Sequence, residues 1–228
     1  FKVMDSVMEK MGIYELFTVL GAGMLSCVLW YLALGLPYFE KLLSEDNLII
    51  IVMGVLISYI IGIILQEISS LLDDKIFKFR KKARKKYLED GNRIVKNREE
   101  LNRFRKLGKE ALNKDDIIFS KAEAENFFNI SKTYLEREGD NARVSRLNSI
   151  YGMSRSLIIS TFLMIPCTFF AGIWWKSLFE IMDSIAFKEI MVIVELGMVW
   201  IFYKRSKRFA KIKVRVIMRY YSHAIKSK

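Results

Sequence analysis

Glu195 is an acidic residue inside an otherwise uncharged stretch, Ile190–Tyr203. A charged side chain at the centre of a bilayer costs ~2.5–3.5 kcal/mol on insertion scales, so such residues usually serve a function. Cation binding, gating or pairing with a buried partner such as Gln66 or a serine would each explain the acid. The alternative is a tilted helix whose acid reaches the membrane surface. We expect Glu195 to be a pore or gating residue.

A second pattern places small or polar residues four positions apart, so that they share one face of a helix. Two explanations stay open. Small residues at this spacing allow close helix packing in membranes. The alternative is a pore lining, because glutamine and glutamate are unusual on a lipid-facing surface. The residues of this pattern, with the acid that follows them, are Gly54, Ser58, Gly62, Gln66 and Glu67.

Two basic series follow the second apolar run. Lysine and arginine pair with phosphates and aromatic rings stack on bases, so these residues could bind a nucleotide or a single strand. Contact with anionic lipid headgroups is the alternative, especially for the first series. The candidates are Arg80, Lys81, Lys82, Arg84 and Lys85 in the first series, and Arg98, Arg103, Phe104 and Arg105 in the second.

The residues give no indication of catalysis. His223 is the only histidine, and the two cysteines, Cys27 and Cys167, lie in apolar runs. The sequence contains no phosphate-binding glycine loop, zinc-protease motif or nucleophile elbow. We therefore predict a protein that is not an enzyme and that holds no cofactor or metal.

Apolar and charged residues are segregated along the 228-residue chain, which is 52% hydrophobic and 27% charged. Uncharged runs occupy 16–39, 47–66 and 156–175, and about 20 apolar residues are needed to cross a bilayer. A shorter fourth segment extends from 185 to 203. The predicted fold is all-α, with four transmembrane helices and a helical cytoplasmic domain between spans two and three.

The predicted organisation has four parts. Residues 1–66 form a transmembrane hairpin with spans at 16–36 and 47–66, and residues 67–155 form the cytoplasmic helical domain. Residues 156–203 form a second hairpin, and residues 204–228 a basic helical tail.

Charge predicts the orientation. Segment 67–155 contains 22 Lys/Arg and 15 Asp/Glu, and segment 204–228 contains 10 Lys/Arg and no acid. Because positive residues collect on the cytoplasmic side of membrane helices, both segments and both termini are expected inside a bacterial inner membrane.

The spacing of apolar residues also predicts the helices outside the membrane. The second span is expected to continue unbroken to about Asp90, and later helices to cover Arg93–Leu112 and Asp115–Glu138. Ser120 and Glu123 form a possible capping box, and Asp140 is expected to cap the next helix. In the tail, the predicted apolar face consists of Phe209, Ile212, Val216 and Tyr220.

Four short-looped spans with a helical insert, together with the stretches Gly62–Glu67 and Asn148–Arg155, resemble the small membrane effectors of bacterial anti-phage defence. The Hailong membrane effectors are the first candidate family and the Kiwa membrane proteins the second. The first resemblance implies an oligomeric ion channel that depolarises the infected cell. It also implies control by a nucleic-acid-like signal from a partner nucleotidyltransferase.

Three hypotheses follow. The first is a ligand-gated homo-oligomeric channel, with a tetramer as the expected state, whose internal helices sense the signal. The second is a non-conducting membrane scaffold that docks a cytoplasmic defence partner. A secondary transporter is the third and is disfavoured, because the spans are few and show no inverted repeat.

The predicted orientation can be tested by cysteine labelling in intact cells. In a variant without Cys27 and Cys167, a cysteine at Lys96 should resist an impermeant thiol reagent until lysis, whereas one at Lys41 should react at once. Labelling at Lys96 before lysis would contradict the orientation.

Overall fold

The computed structural model describes residues 13–34, 48–92, 94–95, 97–138, 142–174 and 185–226, and these are almost entirely helical. The predicted all-α class is confirmed for this part of the chain, which contains no strand. The helices are α1 (Ile13–Leu34), α2 (Leu48–Leu72), α3 (Phe79–Lys86), α4 (Arg98–Ala111), α5 (Lys121–Glu138), α6 (Ala142–Trp174) and α7 (Ile185–Lys226).

The chain divides into two compact units. We call residues 1–71 and 149–206 the apolar unit, and residues 72–148 and 207–228 the basic unit. Helix α7 contributes to both units, because it continues without a break from Ile185 to Lys226.

Two helices among the described residues are long and apolar enough to cross a membrane. They are Leu48–Phe77, with a mean hydropathy of 3.0, and Val144–Phe169, with a mean hydropathy of 1.3. The segment Thr18–Tyr31 is an apolar helix of shorter length. These helices indicate association with a membrane.

In the apolar unit, small and polar residues are buried beside aliphatic ones such as Leu65 and Leu157, while many other large aliphatic residues are exposed. On α2, Ser58 and Gly62 are buried, whereas Ile49 and Ile51 are 70% and 62% exposed. On α6, the buried hydroxyls include Ser160 and Thr161. An exposed apolar surface of this kind is typical of a protein that contacts a membrane or another protein.

A break separates α2 from α3. Residues Asp73–Phe77 form a π-helical turn, and Lys78 then adopts the left-handed conformation with φ 54°. The predicted unbroken helix to Asp90 was wrong. Leu72, Ile76 and Phe79 keep a helical spacing in the sequence, so periodicity alone gives no warning of the break.

The side chain of Asp73 holds this break in place. Its Oδ1 accepts a hydrogen bond from the backbone N–H of Phe79 at 3.0 Å, and its Oδ2 accepts one from Arg80 Nε at 2.9 Å. The first contact satisfies a donor that the start of α3 would otherwise leave unpaired. The Asp73 side chain is fully buried, so the contact with Phe79 is shielded from water, whereas the Arg80 side chain is 27% exposed.

Helix α3 packs on α5 to form the core of the basic unit. Phe79, Ala83 and Tyr87 follow one helical face and are all buried. The Tyr87 hydroxyl donates to the Ala124 carbonyl at 3.2 Å, and its ring meets Phe128 edge to face. Burial, with a smaller contribution from Tyr221, raises the pKa of Tyr87 well above its usual value, so this phenol stays neutral and can donate.

The ends of α4 and α5 show how local sequence sets a helix start. The side chain of Asn97 accepts from the Glu99 N–H at 2.9 Å, so α4 begins at Arg98 and not near Arg93 as predicted. The predicted capping box is confirmed at the start of α5. Ser120 N donates to Glu123 Oε2 at 2.7 Å, and Glu123 N donates to Ser120 Oγ at 3.3 Å.

A hydrogen bond from Lys114, and then one from the Ser120 backbone, lower the pKa of Glu123 to about 2. The stabilisation from this carboxylate is therefore present at neutral pH and is lost as the pH falls toward 2. The predicted cap at Asp140 lies outside the described residues.

The buried face of the tail differs from the predicted one by about one residue. Ala210, Val214, Ile217 and Tyr221 are buried, whereas Phe209, Ile212 and Tyr220 are only partly buried. Of the predicted set, only Val216 is fully enclosed. Both sets have helical spacing, so the choice between them depends on packing within the basic unit.

Replacing Asp73 by alanine should loosen the start of α3. The change removes a buried acceptor from both Phe79 N–H and Arg80, and hydrogen bonds to charged groups contribute about 1.5–3 kcal/mol each. We expect the α3 amides of the intact protein in detergent to exchange hydrogen about 10–100 times faster.

Asp74→Ala is the matched control. Asp74 binds the same Arg80 at 2.9 Å, but its side chain is 68% exposed, and exposed pairs contribute about 0–1 kcal/mol. Equal acceleration in the two variants would show that burial of Asp73 is not what holds the junction.

Candidate functional sites

Glu195 on α7 is completely buried. Its Oε1 lies 2.6 Å from the hydroxyl oxygen of Thr168 on α6. The same hydroxyl lies 3.2 Å from the Met164 carbonyl oxygen. Because a hydroxyl has one hydrogen, it can donate to only one of these two oxygens at a time. If it donates to Met164, only a protonated Glu195 can complete the second contact.

The other carboxyl oxygen of Glu195, Oε2, is buried and has no hydrogen-bond partner among the described residues. The hydroxyls of Ser160 and Ser206 are in the same situation. Leaving a buried polar group unpaired costs about 1–3 kcal/mol, and more for a charge. The arrangement therefore favours whatever can complete it, namely a proton, a cation or a water molecule.

The environment of Glu195 differs from the predicted one in two ways. Its observed partner is a threonine, and among the described residues neither Gln66 nor a serine binds it. Its complete burial also disagrees with the alternative in which the acid reaches the membrane surface. Ser154, Thr161 and Thr168 are seven residues apart and all buried, so the spacing places three hydroxyls on one face of α6 but does not distinguish the one that meets Glu195.

The small-residue stripe of α2 lies against α1 at its centre. The Ser58 hydroxyl lies 3.6 Å from Cys27 Sγ. A Cβ added to Gly23 would come within 1.7 Å of the Ser58 carbonyl oxygen, and one added to Gly62 within 2.2 Å of the Val19 carbonyl oxygen. These two backbones are in direct contact, which favours the packing interpretation for Ser58 and Gly62.

The ends of the stripe differ from its centre. A Cβ added to Gly54 would meet no described atom within 4 Å, and Glu67 is exposed. Gln66 lies beside α6, because its Nε2 would be 3.2 Å from a Cβ added to Gly152. The five stripe residues therefore do not share one environment.

The predicted polyanion-binding residues fall into two groups, those that have partners within the protein and those that are exposed. Phe104 is 1% exposed, on the buried face of α4 with Leu101 and Gly108, so its ring presents no open face on which a base could stack. Arg103 donates to the Ser222 carbonyl at 3.0 Å, and Arg105 donates to the Leu88 carbonyl at 2.6 Å. These two guanidinium groups therefore hold segments of the basic unit together.

Three residues of the first basic series also have partners within the protein. Arg80 binds Asp73 and Asp74, Arg84 lies over the Phe128 ring at 5.0 Å, and Lys85 lies 3.5 Å from Glu125. The remaining candidates, Lys81, Lys82 and Arg98, are exposed.

A basic cavity that the sequence did not predict lies in the basic unit. It has a volume of about 400 Å³, and four lysines line it. Lys82 and Lys86 come from α3, and Lys207 and Lys211 from α7. Each pair has the four-residue spacing of one helical face, which is visible in the sequence. Their convergence is not, because more than 120 residues separate the pairs.

The described residues contain no group of three or more His, Cys, Asp or Glu side chains that could hold a metal ion. The two candidate sites are a buried carboxyl beside a hydroxyl in the apolar unit and a lysine-lined cavity in the basic unit.

Close contact between α1 and α2 makes Gly62 sensitive to an added methyl group. Gly62→Ala places Cβ against a backbone carbonyl, and overpacking of this kind costs about 1–3 kcal/mol. We expect a lower thermal unfolding midpoint in detergent. The control Gly54→Ala, on the same helix, should leave the midpoint unchanged or raise it slightly. An equal decrease of the unfolding midpoint in both variants would contradict the packing interpretation.

Comparison of the chain with protein-family models, with curated proteins and with solved structures finds no match. The resemblance to the membrane effectors of anti-phage defence therefore stays a prediction.

Proposed function

We propose that this protein is a homo-oligomeric membrane effector of bacterial anti-phage defence, which lets cations cross the inner membrane when its basic unit binds a phosphate-bearing signal. The observation that carries the proposal is Glu195, a completely buried carboxyl in an apolar helix, one of whose oxygens has no partner in the part of the chain that the structure describes. The proposal includes four spans, with both termini and the basic unit in the cytoplasm.

The exposed surface of the apolar unit supports a membrane location. Ile193 and Leu196 on α7 are 68% and 53% exposed, while Glu195 between them is 0% exposed. In water this arrangement would be unfavourable twice, because it exposes aliphatic groups and buries an acid. In a bilayer the same arrangement places aliphatic groups in lipid and the acid in the protein interior.

The hydroxyls of α6 support a role in permeation. Thr161 donates to the Leu157 carbonyl one turn earlier, so its oxygen can still accept or coordinate, and the Thr168 hydroxyl contacts Glu195 itself. Hydroxyl and carboxylate oxygens are ligands that cations and water accept readily. In a symmetric oligomer, each subunit would contribute one Glu195, and acidic rings select cations.

The basic unit is suited to sensing an anion. Eight of the ten basic tail residues fall in segment 207–228, which shares a compact unit with the basic residues of 72–148. Helix α7 carries Glu195 in its first half and Lys207 and Lys211 in its second. An anion that changes the position of the second half would therefore act on the element that holds the buried acid.

Replacing Glu195 by glutamine tests the proposal. The change keeps the size and the hydrogen bond to Thr168 but removes the charge. We expect cation flux from proteoliposomes, measured with nucleoside triphosphate or oligonucleotide added outside, to fall about tenfold or more, as a barrier change of ~1.4 kcal/mol would produce. Oligomer mass should not change.

Glu189→Gln is the matched control, because Glu189 is an exposed acid of the same helix and should be replaceable without loss of flux. Equal flux in the wild type and Glu195→Gln would remove this residue from the conduction path. Absence of flux in the wild type under all conditions would favour the non-conducting scaffold.

A further inference from the structure

We infer that the cavity between α3 and the second half of α7 binds a phosphate-bearing ligand about as large as one nucleotide. This inference rests on the proposed function, because it locates the signal that the basic unit would receive. The cavity lies entirely within residues of the basic unit.

Positive charge converges on this cavity from two helices. Lys82 and Lys207 are exposed at its edge, with Lys86 and Lys211 one turn further along each helix. Each ammonium group offers three donors and no acceptor, so together they suit the clustered oxygens of a di- or triphosphate. The four lysines come from two helices that are distant in the sequence, so a single basic run beside the membrane does not explain their clustering.

The cavity also has an apolar side. Phe79, Ala83 and Ile94 line it and are 4–5% exposed. The Phe79 ring is stacked on Phe77, with centroids 5.3 Å apart and the planes inclined by 6°. An apolar wall beside clustered lysines matches a ligand that has a flat apolar part and a charged part, as a nucleotide has.

The loop that closes the cavity is preformed. Asn92 donates through Nδ2 to the Tyr87 carbonyl at 2.9 Å and accepts through Oδ1 from Ile94 N and Val95 N. Gly91 has φ +69°, a conformation that side chains rarely adopt. A preformed site loses little conformational entropy when a ligand binds.

Two acids line the cavity beside the lysines. Asp90 lies 3.0 Å from Arg105, which offsets its charge, and Glu89 is the second. Carboxylates at this position can accept hydrogen bonds from ribose hydroxyls or base amino groups, and they disfavour a bare polyphosphate. A nucleoside di- or triphosphate therefore fits the lining better than inorganic triphosphate.

Size distinguishes a single nucleotide from a longer strand. A volume of about 400 Å³ is within the usual range for small-molecule sites, ~300–1,000 Å³. Grooves that hold single-stranded nucleic acid follow ~4–16 nucleotides and stack bases on exposed aromatic rings. Phe79 lines the cavity but Phe104 does not, so these two rings do not form a row on which successive bases could stack.

The experiment measures binding of ATP and of inorganic triphosphate to the full chain in nanodiscs of zwitterionic lipid. We expect ATP to bind more tightly than triphosphate. The variant Lys82→Glu/Lys207→Glu should weaken ATP binding about tenfold to a hundredfold, because it reverses two charge-assisted contacts. Lys106→Glu/Lys121→Glu carries the same change in net charge at exposed sites that do not line the cavity, and should weaken binding less than about threefold.

Photocrosslinking of wild-type protein with 8-azido-ATP gives a second measurement that needs no folded variant. We expect labelled peptides from 79–95 and 204–215. A third measurement repeats ATP binding in nanodiscs that contain anionic phospholipid. Competition by the anionic lipid that is lost in the Lys82/Lys207 variant would assign the phosphate to a lipid headgroup and would keep the cavity as a phosphate site.

Three results would overturn the inference. These are equal weakening by the two double variants, crosslinks confined to other peptides, and no ATP or anionic-lipid effect at all. Cation flux is measured in parallel, so the two proposals can fail separately. ATP binding without cation flux would contradict the proposed channel and support the ligand site in the cavity. Cation flux triggered by an oligonucleotide, without ATP binding, would support the channel and contradict the ligand site.

Discussion

The buried carboxylate of Asp73 is the contact on which the arrangement of the basic unit depends. By accepting from Phe79 N–H and from Arg80, it ends an apolar helix and fixes the first turn of a charged one. The position of Phe79 then determines that Ala83 and Tyr87 face α5, because these residues follow at intervals of four. The same turn directs Lys82 and Lys86 toward the cavity. A shift of one residue here would move both the core and the cavity lining.

Arginine and lysine have different tasks in the basic unit. Arg103, Arg105 and Arg215 donate to backbone carbonyls of other segments, and Arg219 pairs with Glu100. A planar guanidinium group can donate two parallel hydrogen bonds, which suits it to hold segments together. The lysines of the cavity carry compact charges on flexible chains, so they can adjust to a ligand. The high net charge of +12 thus reflects two separate requirements.

Features set by neighbouring residues could be predicted from the sequence, and those set by packing could not. The all-helical class and the capping box at Ser120 and Glu123 follow from periodicity and local hydrogen bonding, and both are confirmed. The break at Lys78 depends on a side chain five residues earlier. The burial of Phe104 depends on helices distant in the sequence. For the same reason, Glu195 could be identified as unusual, but its partner Thr168 could not be chosen among the hydroxyls of α6.

The placement of residues 207–226 has a consequence for how the chain is made. These residues close the core of the basic unit, where Tyr221 meets Phe127 edge to face and Arg103 reaches the Ser222 carbonyl. Segment 72–148 leaves the ribosome long before them, since translation proceeds at about 5–20 residues per second. The apolar face of segment 72–148 therefore stays uncovered while more than 50 further residues are synthesised. The cavity therefore cannot form until α7 has been synthesised, because Lys207 and Lys211 belong to its lining.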